Sequence, residues 1–242
     1  MNETSADVGK VLEYNMEIVQ IRSKPKQTFF APEYCFILGE TQIEGIDWSK
    51  IKNFILQLEK DALARYPDAK TLIGDAYTGL GPDSLTARFE HYNVFMFNDP
   101  EIQKLKEKVH EQYLIFLEKF GAPRPKVYMQ CWANVMRKGQ KIEPHIHGLT
   151  EWTYLGGHIT VACDGTYTNY MNPLDQLQGK DQYYSENRVG QLTFFQNNIP
   201  HYTTIHQADT ERITIAFDIL PEVGTGSFQH VPTYFVFDQQ PK

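Results

Sequence analysis

The chain has 242 residues, 41% of them hydrophobic and 22% charged, which is ordinary globular usage and enough for a sizeable core. A formal net charge of −7 argues against a general binder of nucleic-acid backbones, because no excess of Lys and Arg exists to displace counterions. No run of ~18 apolar residues is present, which excludes a membrane-spanning helix, and the polar N-terminal stretch MNETSADVGKVLEYN lacks the apolar segment of a secretory signal.

Along the chain, Asp47 to about Tyr66 has Ile51, Phe54, Ile55, Leu58, Leu63 and Ala64 at helical spacing, with Asp47 or Ser49 as cap. The segment DAYTGLGPDSLTARFEHYNVFMF follows, read as a loop around Gly79 and Gly81 and then a strand over Tyr92 to Phe97. A second helix is expected from Pro100 to about Phe120, opened by proline and stopped at Gly121. From Lys126 onward the texture changes to short β-prone runs: VYMQCWANVMR, HGLTEWTYLGGHITVAC, GTYTNYMN, GQLTFFQ, HYTTIH, RITIAFDIL and TYFVFD. Such runs, punctuated by Gly, Pro and Asn without intervening helices, predict a closed antiparallel sandwich or barrel. The fold class is therefore mainly β with N-terminal helices (α+β). It is read as one domain over 1–242: a helical and strand support to about 120, then a β core over about 121–242. Cys35, Cys131 and Cys163 are scattered, lack CxxC spacing, and read as buried free thiols in a reduced cytoplasmic setting.

Chemistry concentrates late in the chain, where five of the eight histidines fall between 145 and 206. In a strand, His145 and His147 would share a face and point into one cavity. Two ligands do not make a metal site, and His201, after Pro200 at the start of a later strand, is the candidate third. Arg212 opens the apolar run ITIAFDI. A guanidinium entering a core is costly unless it meets an anion, either Asp209 or Glu211 nearby or a bound ligand.

The set His145-Ile146-His147, His201 and Arg212-Ile213-Thr214 resembles the 2-oxoglutarate/Fe(II) oxygenases. Within that superfamily it is most similar to a phage and bacterial branch, through Trp132-Ala133-Asn134, Gly139-Gln140, the His-x-His pair, the spacing from Phe195 to His201, and Glu211-Arg212-Ile213-Thr214. The resemblance implies a double-stranded β-helix, the jelly roll shared with cupins. It implies Fe(II) on His145, His147 and His201, with 2-oxoglutarate chelating the metal and its far carboxylate held by Arg212 and Thr214. O2 would take the remaining position, giving succinate, CO2 and a ferryl oxidant that hydroxylates a substrate. Asn134 and Tyr154 are candidate hydrogen-bond partners of the cosubstrate.

One departure stands out: the usual triad is two histidines and a carboxylate, whereas His147 occupies the carboxylate position. Either three histidines bind the metal or a nearby carboxylate, Glu143, Glu151 or Asp164, substitutes as the third ligand. His206 reads as a residue behind the site or on the surface, His158 as facing the cavity or its back, and His91, His110 and His230 as structural or exposed. Segments Tyr167 to Pro173 and Asp181 to Tyr184 are expected to line a substrate entrance. Rival readings are a three-histidine enzyme without 2-oxoglutarate (a cupin-type dioxygenase or zinc hydrolase) and an inactive jelly-roll binding module. The substrate, small molecule or peptide, is open, as is homo-oligomerisation; the expected location is the cytoplasm, a host's if the chain is phage-encoded.

Overall fold

Strand-forming sequence in this protein builds two antiparallel sheets, because nearly every strand has an apolar residue at alternate positions on at least one face. The computed structural model describes residues 7–13, 15–68, 75, 77–149, 153–171, 181–222 and 232–238. Strands β1 (Asp7–Glu13), β2 (Met16–Arg22) and β3 (Cys35–Gln42) precede helices α1 (Trp48–Arg65) and α2 (Pro100–Lys119). Then come β4 (Val127–Met136), β5 (Leu155–Ala162), β6 (Tyr167–Met171), β7 (Asp181–Glu186), β8 (Gln191–Gln196), β9 (His201–Thr203), β10 (Arg212–Pro221) and β11 (Phe235–Asp238). The large sheet runs β1-β2-β3-β8-β5-β10-β4-β11 and the small one β7-β6-β9. From β5 to β10 the chain passes from large sheet to small, back for β8, to the small sheet for β9 and back again. That alternation is the jelly-roll core. The two sheets do not close into a barrel; β1 and β11 end the large one.

The two faces of the large sheet have different partners. On one, Cys131, Ala133, Ile159, Val161, Leu192, Phe194, Ile213, Ile215 and Phe217 form a core with both helices. The helices meet it with stripes at i, i+3, i+4 and i+7 spacing: Ile51, Ile55, Leu58 and Ala62 on α1, and Ile102, Leu105, Val109, Tyr113 and Phe116 on α2. Burying each such side chain stabilises the fold by roughly 1.5–3 kcal/mol over leaving it exposed. On the other face, Val19, Ile21, Phe36, Leu38 and Phe195 pack on Tyr170 and Tyr183 of the small sheet. The functional cavity lies between the sheets, on this second side.

Both helices form as the sequence predicts. The Asp47 side chain accepts from Lys50 N, Asp99 accepts from Glu101 N and Ile102 N, and Gly121 at φ +57° follows α2. Three expectations need correction. Tyr92–Phe97 is not a strand: Val94–Met96 is a single 3-10 turn, because the Asn93 side chain accepts from Phe95 N and donates to Met129 O and Thr233 O. Its β-prone side chains are buried one by one as plugs rather than paired in a ladder. The strands expected within the N-terminal support are β1, β2 and β3, but they belong to the large sheet itself, which they continue through the β3–β8 pairing of Leu38 with Phe195 to Gln42 with Gln191, a placement hidden from local pattern because the partners are distant in sequence. Of the cysteines, which are all free, only Cys131 is buried; Cys35 is exposed and Cys163 is half-buried. No described helix is long and apolar enough to cross a membrane.

Candidate metal centre

Strand β10 sets one wall of the site by simple alternation. Its odd residues Ile213, Ile215, Phe217 and Ile219 enter the helix-side core, so the even ones, Arg212, Thr214, Ala216 and Asp218, face the cavity between the sheets. Trp132 and Asn134 on the neighbouring β4 do the same, in register opposite Ala216 and Thr214. His158 on β5, Phe195 on β8, and His201 and Thr203 on β9 complete the walls of a cavity of about 180 Å³.

His145 and His147 do not lie in a regular strand. A single antiparallel bridge joins His145 to His201, with reciprocal backbone hydrogen bonds of 3.1 and 3.0 Å. His147 N and Gly148 N then donate to the carbonyl of Asn197, at 2.9 and 3.2 Å. These contacts bring the HxH segment alongside β9 as an extra, irregular edge of the small sheet. The His145 and His201 ring centroids are 4.4 Å apart, those of His147 and His201 5.1 Å, and those of His145 and His147 5.4 Å. One ring nitrogen from each lies within 4.8 Å of the others, a spacing that suits a single metal ion.

The outer nitrogens explain how the rings are oriented. His145 Nδ1 contacts Glu143 O at 2.8 Å, His201 Nδ1 contacts Ile199 O at 2.9 Å, and His147 Nδ1 contacts Asp218 Oδ1 at 2.6 Å. A carbonyl or carboxylate can only accept, so each Nδ1 carries the hydrogen and the Nε2 lone pair is left for a ligand. Burial, reinforced by the neighbouring His147, pushes His145 down to about 4. Burial drives His201 well below the ordinary imidazole value, with His145 adding to it. These two rings are therefore neutral near pH 7, the form that binds metals.

Arg212 is 2% exposed, and among the described residues no carboxylate pairs with it. The two acids near it in sequence are engaged elsewhere: Asp209 with Lys138 at 2.8 Å and Glu211 with Lys52 at 2.9 Å. Its Nη1 contacts Met136 Sδ at 3.3 Å, while Nε has no hydrogen-bond partner. Burial lowers its pKa. His158 Nδ1, Thr160 Oγ1 and Thr193 Oγ1 are likewise buried without partners. Of these residues, Arg212 and His158 line the cavity, from β10 and β5, and unpartnered polar atoms there are what a polar ligand satisfies.

The remaining candidates separate clearly. Thr214 and Asn134 line the cavity; Asn134 Nδ2 is 3.5 Å from Thr214 Oγ1, and its Oδ1 accepts from Thr86 Oγ1 at 2.7 Å. Tyr154 lies elsewhere: its hydroxyl meets that of Tyr113 on α2 at 2.9 Å, which places it on the helix side of the sheet rather than in the cavity. The anticipated carboxylates do not join the histidines either. Glu143 pairs with Lys141 at 2.9 Å, Asp164 is exposed, and Glu151 lies outside the described residues. Among the described residues, the carboxylate at the site is Asp218. Sequence did hold its signal, since stepping by two from Arg212 through Thr214 and Ala216 reaches it.

Among the other histidines, His158 faces the cavity and its Nε2 meets Tyr170 Oη at 2.9 Å. His206 is fully buried, held by Thr166 Oγ1 and Thr210 O, and does not line the site. His91 stacks on Tyr66, His110 packs on Phe237, and His230 lies outside the described residues. The anticipated entrance segments are β6 and β7 of the small sheet, of which Thr168 reaches the cavity; residues 172–180 lie outside the described set.

Fold and site together define a jelly-roll protein with a three-histidine candidate metal centre beside a buried arginine that has no carboxylate partner among the described residues. Residues 130–218 match the family model described as "Putative 2OG-Fe(II) oxygenase", a segment that contains the motif residues from Trp132 to Thr214. No curated protein matches the chain. Among solved structures, it is similar to an oxidoreductase of the 2OG-Fe(II) oxygenase family from Burkholderia pseudomallei (18% identity, TM-score 0.40, covering 51% of this chain and 60% of that one). It is also similar to a Pseudomonas putida prolyl-4-hydroxylase (14%, TM-score 0.39, 52% and 68%). A third is a Trichoplax adhaerens prolyl hydroxylase in complex with a hypoxia inducible factor peptide fragment (11%, TM-score 0.48, 76% and 84%). The chain thus spans about 60% of the length of the first of these.

Proposed function

We propose that the protein is an Fe(II)- and 2-oxoglutarate-dependent dioxygenase acting on a small molecule or peptide. The observation that carries this reading is the pairing, in one cavity, of three convergent imidazoles with a buried guanidinium that has no carboxylate partner. His145, His147 and His201 would hold the metal through Nε2. A neutral three-histidine set would leave such a metal able to take a 2-oxo acid as cosubstrate. Bound iron with its cosubstrate supplies the oxidising chemistry.

The chain's own residues do the positioning. Arg212 is suited to the far carboxylate of 2-oxoglutarate because a planar guanidinium donates two parallel hydrogen bonds to it. Thr214, on the same strand face, can donate a third, and Asn134, tied to Thr86, buttresses that hydroxyl. Trp132, Phe89 and Phe195 add apolar surface to the cavity wall, and a less polar surrounding strengthens a charge pairing. Hydroxylation is the reaction this reading favours.

The test is anaerobic. Fe(II) and then 2-oxoglutarate are added to metal-free protein while the visible spectrum is recorded. A weak charge-transfer band that requires both additions, and is lost in His201→Ala, is the expected result; succinate release then guides the substrate search. One metal bound per chain without such a band overturns the 2-oxoglutarate assignment and leaves a dioxygenase that binds substrate directly, or a zinc hydrolase. No metal bound leaves a binding module.

A further inference from the structure

The three imidazoles are not equivalent. Two of them rest their outer nitrogens on backbone carbonyls, but His147 rests its own on a carboxylate, Asp218, at 2.6 Å. Both side chains are largely enclosed, 6% and 20% exposed. The backbone opposite is cut away to admit them: a Cβ on Gly156, the β5 residue in register with Asp218, would lie 3.1 Å from His147 Nδ1, 3.2 Å from Asp218 Oδ1 and 2.5 Å from Asn197 Oδ1. Asn197 in turn fixes the HxH segment through its carbonyl, which accepts from His147 N and Gly148 N. One glycine thus makes room for a carboxylate, an imidazole and an amide to meet.

Resting on the metal reading above, we propose that Asp218 is a positioning residue that gives the three-histidine centre the negative charge a carboxylate ligand would otherwise bring. Three neutral imidazoles leave a divalent metal with its full +2 charge. A two-histidine, one-carboxylate triad leaves +1. With Asp218 hydrogen-bonded to the back of His147, the assembly again sums to +1, the charge being passed through a polarised ring rather than by direct contact. The carboxylate has moved outward by one residue's width: the position that normally carries it is His147, and its charge comes from β10 instead. Asp218 also fixes the His147 tautomer, so that Nε2 is the ligating atom.

Asp218→Asn is close to isosteric and retains an oxygen acceptor for Nδ1–H, but removes the charge. The probes are Co(II) affinity, followed by absorption, and the Fe(III)/Fe(II) potential of the iron-loaded protein, with folding checked by circular dichroism. The expected result is a 10–100-fold loss of Co(II) affinity and a more positive potential in Asp218→Asn, because the ferric state gains most from a nearby anion. Asp218→Glu, which keeps the charge, is expected to hold the potential near that of the unaltered protein. Co(II) affinity within twofold and an unmoved potential in Asp218→Asn overturn the role of Asp218 while leaving the metal reading intact. A potential shift in Asp218→Glu as large as in Asp218→Asn also overturns it, because geometry rather than charge would then be responsible. Failure of the unaltered protein to bind Co(II) overturns the metal reading and this role together.

Discussion

Arg212 and Asp218 stand on the same face of β10, with Thr214 and Ala216 between them, and both line the cavity that holds the three histidines. One strand therefore delivers a cation with no carboxylate partner among the described residues and an anion already committed to a histidine. The odd-numbered residues between them, all Ile or Phe, hold that strand against the helix-side core. A shift of one residue in the β10 register would exchange the two faces, burying the charged side chains in the core and emptying the site.

Removing the Arg212 charge separates function from folding. Arg212→Met is predicted to fold with equal or greater stability, because replacing a buried, unpaired guanidinium by an apolar chain relieves desolvation. Affinity of the metal-loaded protein for 2-oxoglutarate is expected to fall roughly 10–100-fold, the loss of one or two charge-assisted hydrogen bonds. Thermal melting and calorimetric titration check the two halves; marked destabilisation with unchanged 2-oxoglutarate binding would make Arg212 structural.

The pH dependence of stability of the metal-free protein should carry the signature of His158. Burial holds this imidazole down to about 3, with the positive charge of Arg212 on β10 adding to the effect; His147 acts in the same direction and the Tyr170 hydroxyl on β6 faces its Nε2. In the unfolded chain the ring titrates near 6.5. Between the two values the unfolded state binds the extra proton, so this contribution is intact above pH 6.5 and is lost as pH falls toward 3. The slope is at most about 1.4 kcal/mol per pH unit. Urea denaturation at pH 7 and pH 5 is expected to show a smaller difference for His158→Gln than for the unaltered protein; equal differences would discount the ring.

Gly157 faces the helix-side core, where a Cβ would lie 2.6 Å from the carbonyl oxygen of Thr193, with the Phe217 ring also in its way. The backbone atom belongs to the paired strand β8 and cannot turn aside. Gly157→Ala is predicted to cost about 1–3 kcal/mol through overpacking, read as a lowered melting temperature.

Asn93 ties the turn after residue 92 to β4 and to residue 233 by donating to Met129 O at 3.1 Å and Thr233 O at 2.8 Å, and closes the turn by accepting from Phe95 N at 3.0 Å. Asn93→Ala leaves buried backbone groups unpaired, and a loss of about 1–3 kcal/mol is expected in chemical denaturation. A loss under 0.5 kcal/mol would show that water replaces the amide.

Local chemistry alone determined both helices, the β texture after residue 126, and the identities of the three histidines and Arg212. Helical stripes and caps depend on neighbours within a few residues, and an Arg opening an apolar run is conspicuous wherever it occurs. What only the tertiary structure decided is pairing. β1, β2 and β3 become part of the large sheet because β3 finds β8; Tyr154 turns to Tyr113 because its side of the sheet is covered by α2; Glu143 pairs with Lys141 and Asp164 is exposed. Asp218 reaches His147 across 71 residues of chain, through a gap left by Gly156. Such contacts are set by sheet register: the sequence shows that Asp218 shares a face with Arg212 and that residue 156 is glycine, but not that the two meet at His147, since the distance between two residues in a folded sheet does not depend on their separation along the chain.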